Sequence, residues 1–363
     1  MHLEKVGSQI LQNWATLGRR PNPEEWQQLE ARELQDKNRC LGLGIDPENI
    51  TELLQQRSHL FEAVVGEVGH MLGYLPVTTL WYLWIPLAMQ LAAKQKILNR
   101  PLIQGILGGQ GTGKTTMGKM LSLILRELGN RTLSLSIDDL YKTYAERQKL
   151  RELDPRLIWR GPPGTHDVEL GLQVLDQLRQ QPLKLETNSP TTPKLIEIPR
   201  FDKSAYQGAG DRTNPEKIDG AEIILFEGWF VGVRPVEGDI WHNAPWPIIT
   251  ESDRIFAQDN NQRLREYLPL WQRLDSLIVL YPVDYRLSLA WRKQAEHEMI
   301  ASGKSGMSDA EIEQFVYYFW QALHPELFIE PLIKNPQWVD LVITINRDRS
   351  IGQISSPKPG FFA

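Results

Sequence analysis

Residues Gly108 to Thr115 read Gly-Gly-Gln-Gly-Thr-Gly-Lys-Thr, and Thr116 follows. They fit the pattern G-x-x-x-x-G-K-[ST] and constrain this chain more than any other stretch. Leu102 to Leu107 reads as a short buried strand leading into the pattern, and Met117, Leu121, Ile124, Leu125 and Leu128 recur at helical spacing behind it. Strand, glycine loop and helix in that order make an α/β fold with a parallel sheet. Successive backbone N–H groups of Gly108, Gly109, Gln110, Gly111, Thr112 and Gly113 curl around phosphate oxygens, which is why side chains are small there. The positive end of the helix dipole faces the same anion. Lys114 reaches the outer phosphates, the Thr115 hydroxyl suits Mg²⁺, and Thr116 is counted with them among the nucleotide-binding residues. The expected ligand is ATP with Mg²⁺.

Two other acidic strand ends point to the same chemistry. Arg131 to Ile137 reads as a strand that ends in Asp138-Asp139. Open α/β sheets bind ligands at the carboxyl ends of their strands. Asp138 is the candidate base that takes a proton from an attacking hydroxyl; Asp139 is read as the cap of the next helix. Alternation along a strand would send the two carboxylates to opposite sides. Glu222 to Trp229 is the second such strand, and its Glu227 is a candidate metal carboxylate beside Thr115.

Between these strands lie two polar loops. Arg160 and His166 sit in a Gly/Pro-rich loop and are candidate substrate contacts, with a solvated Arg and a capping His or Asp as the bland alternatives. Lys203, Tyr206 and Arg212 sit in a donor-rich insertion suited to clamping a small anion; a surface loop is the alternative. Further on, a charged helix carries Arg292, Lys293 and Glu296, and a glycine-flanked Lys304 follows it. This is read as a cationic lid over about 284–310, with Arg292 acting on the transferring phosphoryl group. The alternative is a plain i,i+4 pair between Arg292 and Glu296. Val339 to Ile345 is the last strand expected, and the turn at 346–349 after it suits a nucleotide base.

Residues 1–95 read as a helical N-terminal extension and 96–363 as the nucleotide-binding domain. The charge-free run Met71 to Ala93 is long enough for a membrane span, but Pro76 and Pro86 cut it, so a buried helical approach to the first strand is expected. A net charge of −5 gives no reason to expect a nucleic-acid partner. A single cysteine, Cys40, rules out an intrachain disulfide. No membrane partner is expected, and nothing in the sequence specifies an oligomeric state.

Several motifs converge. GGQGTGKTT at Gly108, SLSIDDLY at Ser134, RGPPGTHD at Arg160, FDKSAYQGAGDR at Phe201, LFEGWFVG at Leu225, WRKQAE at Trp291 and GMSDAE at Gly306 together resemble the D-glycerate 3-kinases of plants and cyanobacteria. These belong to the phosphate-loop kinase group of uridine kinase, phosphoribulokinase and pantothenate kinase. The resemblance spans about residues 100–320 and weakens before residue 70. It implies a phosphate-loop kinase fold and photorespiratory-type phosphorylation of D-glycerate. It also implies a base at the Asp138 position and a Mg²⁺ ligand at the Glu227 position. Since the chain's start does not read as a plastid-type targeting extension, a cytoplasmic protein is expected. The residues by themselves leave open another small acceptor, such as a nucleoside or pantothenate, and a nucleotide-dependent switch.

Overall fold

The computed structural model describes residues 2–181, 195–238, 240–303 and 306–358. The strands are β1 Leu102–Gly108, β2 Thr132–Ser136, β3 Ile196–Ile198, β4 Phe201–Asp202, β5 Asp211–Arg212, β6 Glu216–Ile218, β7 Ile223–Gly228, β8 Ser276–Pro282, β9 Leu341–Ile345 and β10 Ile351–Ser355. The main sheet has the order β10-β9-β8-β1-β7-β2. Five neighbouring strands of it, β2, β7, β1, β8 and β9, pair in parallel, as expected for the α/β fold.

β1 is buried along its whole length because helices cover both faces of the sheet. Alternation assigns its side chains: Leu102 and Ile106 join one core, Ile103 and Leu107 the other. The first core also takes in the phosphate-loop helix Lys114–Glu127 and the N-terminal helices. There Trp14, Trp26, Phe61 and Trp81 meet edge-on or tilted, with ring centroids 4.9–6.2 Å apart. That cluster accounts for three of the twelve tryptophans. Buried Glu33 binds both Arg39 (2.9 Å) and Arg57 (2.7 Å) beside it. Burial alone would raise its pKa, but the two guanidiniums overcome this and lower it.

The charge-free run does form helix, from Val77 through a π-turn at Leu80–Trp84 into Ile85–Leu98, with Pro86 in the first turn of the last segment. It is buried in the first core. No helix among the described residues is long and apolar enough to cross a membrane.

Two expectations need correction. Val339–Ile345 is not the last strand: the chain turns at Asn346–Ser350 and β10 pairs antiparallel with β9. The weak Ile351/Ile354 pattern of this edge strand hides it. The donor-rich insertion is not all loop, because β3 pairs with β6 and β4 with β5.

Candidate functional site

The loop between β1 and its helix has the backbone its glycines require. Gly111 lies at φ +77°, and a Cβ there would come within 2.8 Å of Trp291 Cβ. Gly113, at φ +88°, caps the helix N-terminus without any side-chain hydrogen bond, so the first N–H groups remain open to an anion. Thr112 Oγ1 donates to Gly109 O (2.8 Å) and pins the loop. Lys114 Nζ donates to the same carbonyl (3.0 Å), folded over the cradle. Burial lowers the Lys114 pKa, while Glu227 and Asp138 pull it back up.

Glu227 sits near the carboxyl end of β7, one register step from the loop, since Gly228 pairs with Leu107. Its Oε1 lies 3.5 Å from Thr115 Oγ1. Its Oε2 is buried and has no hydrogen-bond partner among the described residues. A buried carboxylate oxygen rarely goes unmatched. The unmatched oxygen, the nearby hydroxyl and the phosphate cradle together fit a hard divalent cation that keeps waters and phosphate oxygens as its other ligands. Among the described residues no cluster of three or more His, Cys, Asp or Glu could hold a metal alone.

Asp138 and Asp139 are separated by a mechanism other than strand alternation. β2 ends at Ser136, and Ile137–Leu140 is a 3₁₀ turn. Ser136, not Asp139, is its cap: Ser136 Oγ accepts from Asp138 N, and Asp139 Oδ2 accepts from Ser136 N (3.0 Å). Asp139 also binds Arg200 (3.1 Å) and is thus structural. Asp138 instead faces Lys203, at 2.6 Å, and accepts a hydrogen bond from the Tyr141 hydroxyl. Burial pushes the Asp138 pKa up, but the Lys203 charge and these hydrogen bonds win and hold it below the usual carboxylate range.

The polar loops gather around this carboxylate. The Arg160 guanidinium lies over the Tyr141 and Phe201 rings and donates to Gly208 O (2.5 Å). Tyr206 is exposed, stacks on Tyr144 with centroids 4.1 Å apart, and lies at φ +49° next to Gln207 at +56°. Two successive non-glycine residues in the left-handed region are uncommon and cluster at functional loops. Arg212 is tied down, donating to Tyr141 O (2.7 Å) and Asp167 (2.9 Å), so it supports the wall instead of facing the cleft. His166 is buried and stacked on Tyr141, 4.5 Å between centroids. It does not cap the helix Val168–Gln180; Asp167 does.

Sequence reasoning missed four groups here. Tyr141 holds Asp138. Arg147 fastens the 206–210 turn through the carbonyls of Ala209 (2.8 Å) and Gly210. Tyr267 holds His166 at 2.9 Å. Trp291 packs on Gly111 and donates to Arg347 O (3.2 Å), which brings the 346–349 turn beside the phosphate loop. The Tyr in SLSIDDLY carried a local signal; the others are linked to the site only by contacts distant in sequence.

In the expected lid, Arg292 pairs with Glu296 (2.8 Å) and Lys293 with Glu313 (2.6 Å). The helix Leu287–Ala301 thus packs on Asp309–Ala322, which opens with a capping box of Ser308 and Glu311. Lys304 lies outside the described residues.

No family model matches the chain. D-glycerate 3-kinase, chloroplastic, of Arabidopsis thaliana is 32% identical over 265 residues, 69% of this chain and 54% of that relative. The chain therefore spans about half the length of this relative. The Saccharomyces cerevisiae protein named "Probable ATP-dependent kinase TDA10" is 32% identical over 228 residues, 60% of this chain and 74% of that one. A solved structure of D-glycerate 3-kinase from Cryptococcus neoformans shares the fold with a TM-score of 0.65 at 27% identity, covering 75% of this chain and 98% of that one. With the phosphate loop, the parallel sheet and the two carboxylates in place, the chain belongs to the phosphate-loop kinase family that includes D-glycerate 3-kinase and its ATP-dependent kinase relatives.

Proposed function

We propose that the protein transfers the γ-phosphoryl group of ATP to the 3-hydroxyl of D-glycerate, giving ADP and 3-phospho-D-glycerate. Residues 96–363 form the kinase domain in this reading, with 1–95 as its helical extension. The observation that carries the proposal is the Asp138 carboxylate, ionised and paired with Lys203 at 2.6 Å, on the same cleft as Lys114 and Glu227. Asp138 accepts the hydroxyl proton as the oxygen bonds to phosphorus and the bond to ADP breaks. Lys114 and the helix N-terminus take the phosphate charge. Thr115 and Glu227 would hold Mg²⁺, which when bound offsets the charge of the phosphate oxygens.

Lys203 and Arg160 line the acceptor side with positive charge, which favours an acceptor that carries a carboxylate. Lys203 exchanges Asp138 for the glycerate carboxylate on binding, freeing the base for the hydroxyl. The names of the Arabidopsis and Cryptococcus relatives support the same acceptor. The test is a coupled ADP-release assay across D-glycerate, L-glycerate, uridine, pantothenate and ribulose 5-phosphate. Turnover with D-glycerate above all others is expected. A higher kcat/KM for any other acceptor would overturn the assignment, and ATP hydrolysis indifferent to every acceptor would overturn the kinase reading.

A further inference from the structure

His166 is 1% exposed, and its Nδ1 lies 2.9 Å from the Tyr267 hydroxyl. That hydroxyl has a second partner, the backbone N–H of Gly164, at 2.9 Å. A backbone N–H can only donate, so the Tyr267 oxygen is the acceptor in that bond. Among the described residues the one acceptor left for the Tyr267 proton is His166 Nδ1. Burial takes the His166 pKa down to about 3, so the ring is neutral near pH 7. A neutral ring that accepts at Nδ1 carries its own proton at Nε2. Nε2 is itself buried and has no hydrogen-bond partner among the described residues. A donor kept dry and unmatched is costly unless something arrives to accept from it.

The position of the ring says what arrives. His166 stacks on Tyr141, whose hydroxyl binds Asp138, and the Asp138 carboxylate is the foremost charge acting on the ring. The donor therefore belongs to the wall that carries the base. We infer that His166 donates its Nε2–H to an oxygen of the bound acceptor, and that Tyr267 and the Gly164 amide are the positioning groups that fix this tautomer. A neutral donor suits the place. It orients an acceptor oxygen without adding a cation that would weaken Asp138 as a base. The inference rests on the kinase reading above for the presence of an acceptor, but it needs only an oxygen-bearing one.

The test has two parts. In protein labelled with ¹⁵N-histidine, the His166 signals are identified by their loss in His166→Gln. The wild type is expected to show a protonated Nε2 and a bare Nδ1, and Tyr267→Phe to lose that fixed pattern. In kinetics, His166→Phe is expected to raise the acceptor KM about 10- to 100-fold with the ATP KM little changed. His166→Gln, whose amide nitrogen reaches the Nε2 position, is expected to restore most of the loss. A wild-type ring protonated at Nδ1, an unchanged acceptor KM in His166→Phe, or a Gln variant no better than Phe would each overturn the inference. The tautomer is read without turnover. A failure of D-glycerate as substrate is therefore distinct: it overturns the acceptor assignment, whereas an Nδ1–H ring overturns the donor.

Discussion

Replacing Asp138 and Asp139 by Asn, one at a time, separates catalysis from stability at neighbouring positions. Asp138→Asn removes the proton acceptor. General base catalysis is worth roughly 10²–10⁴ in rate, so kcat should fall by that factor. The stability cost should be small. Lys203 is 62% exposed, so solvent screens the pair, and such pairs contribute about 0–1 kcal/mol. The amide oxygen can still accept from the Tyr141 hydroxyl. Asp139→Asn has the opposite profile. That carboxylate is 16% exposed, closes the capping box on Ser136 N and binds Arg200. Burial holds the Asp139 pKa above the usual carboxylate range, so the cost comes from the lost cap and Arg200 hydrogen bonds and not from the charge, and should be about 1–2 kcal/mol. Its rate should stay within a few-fold. Single-turnover phosphoryl transfer and urea unfolding on both variants give four numbers. A fast Asp138→Asn, or an inactive Asp139→Asn of full stability, would refute the assignment of roles. Both variants inactive and both unstable would mean that the 3₁₀ turn acts as one structural unit.

Three further outcomes are expected. Glu227→Gln should raise the Mg²⁺ concentration needed for half-maximal activity and lower kcat, while ATP binding measured without metal changes little; an unchanged Mg²⁺ titration would remove Glu227 from the metal site. Arg292→Ala should lower kcat more than it raises the ATP KM if the residue leaves Glu296 for the phosphoryl group in the transition state; a loss confined to stability would leave it as Glu296's partner, with Glu296 5% exposed in that pair. The third outcome concerns acid. His166 and His324 are buried neutral, with pKa values lowered by burial to about 3 and about 4. Below the unfolded value near 6.5 the unfolded chain binds protons that the folded chain refuses, so stability is full above about pH 6.5 and falls as pH drops. Between pH 6.5 and 5 each ring accounts for about 2 kcal/mol, at about 1.4 kcal/mol per pH unit. Urea midpoints at pH 7 and 5 should therefore differ less in His166→Gln than in the wild type, and an equal drop in both would exclude His166 as a source.

What the sequence determined by itself is local. A strand, a glycine loop and a helix, read from spacing alone, give the phosphate cradle, because backbone curvature and helix dipole are properties of a few adjacent residues. The apolar run of β7 placed Glu227 at a strand end for the same reason. The sequence also put Asp138 at the site, but with strand alternation as the reason. Tertiary structure supplied the actual one, a 3₁₀ turn capped by Ser136 with Arg200 holding Asp139. It also decided every pairing that periodicity cannot encode: Lys203 with Asp138 across 65 residues, Tyr267 with His166 across 101, and Trp291 on Gly111. Arg212 looked like a clamp because it is a cation in a donor-rich stretch, yet it is held by Asp167, 45 residues earlier. A charge in a sequence shows only that a partner is needed. Which partner it finds depends on how the folded chain closes, and here closure left Lys203 exposed beside Asp138 while spending Arg212 on the wall.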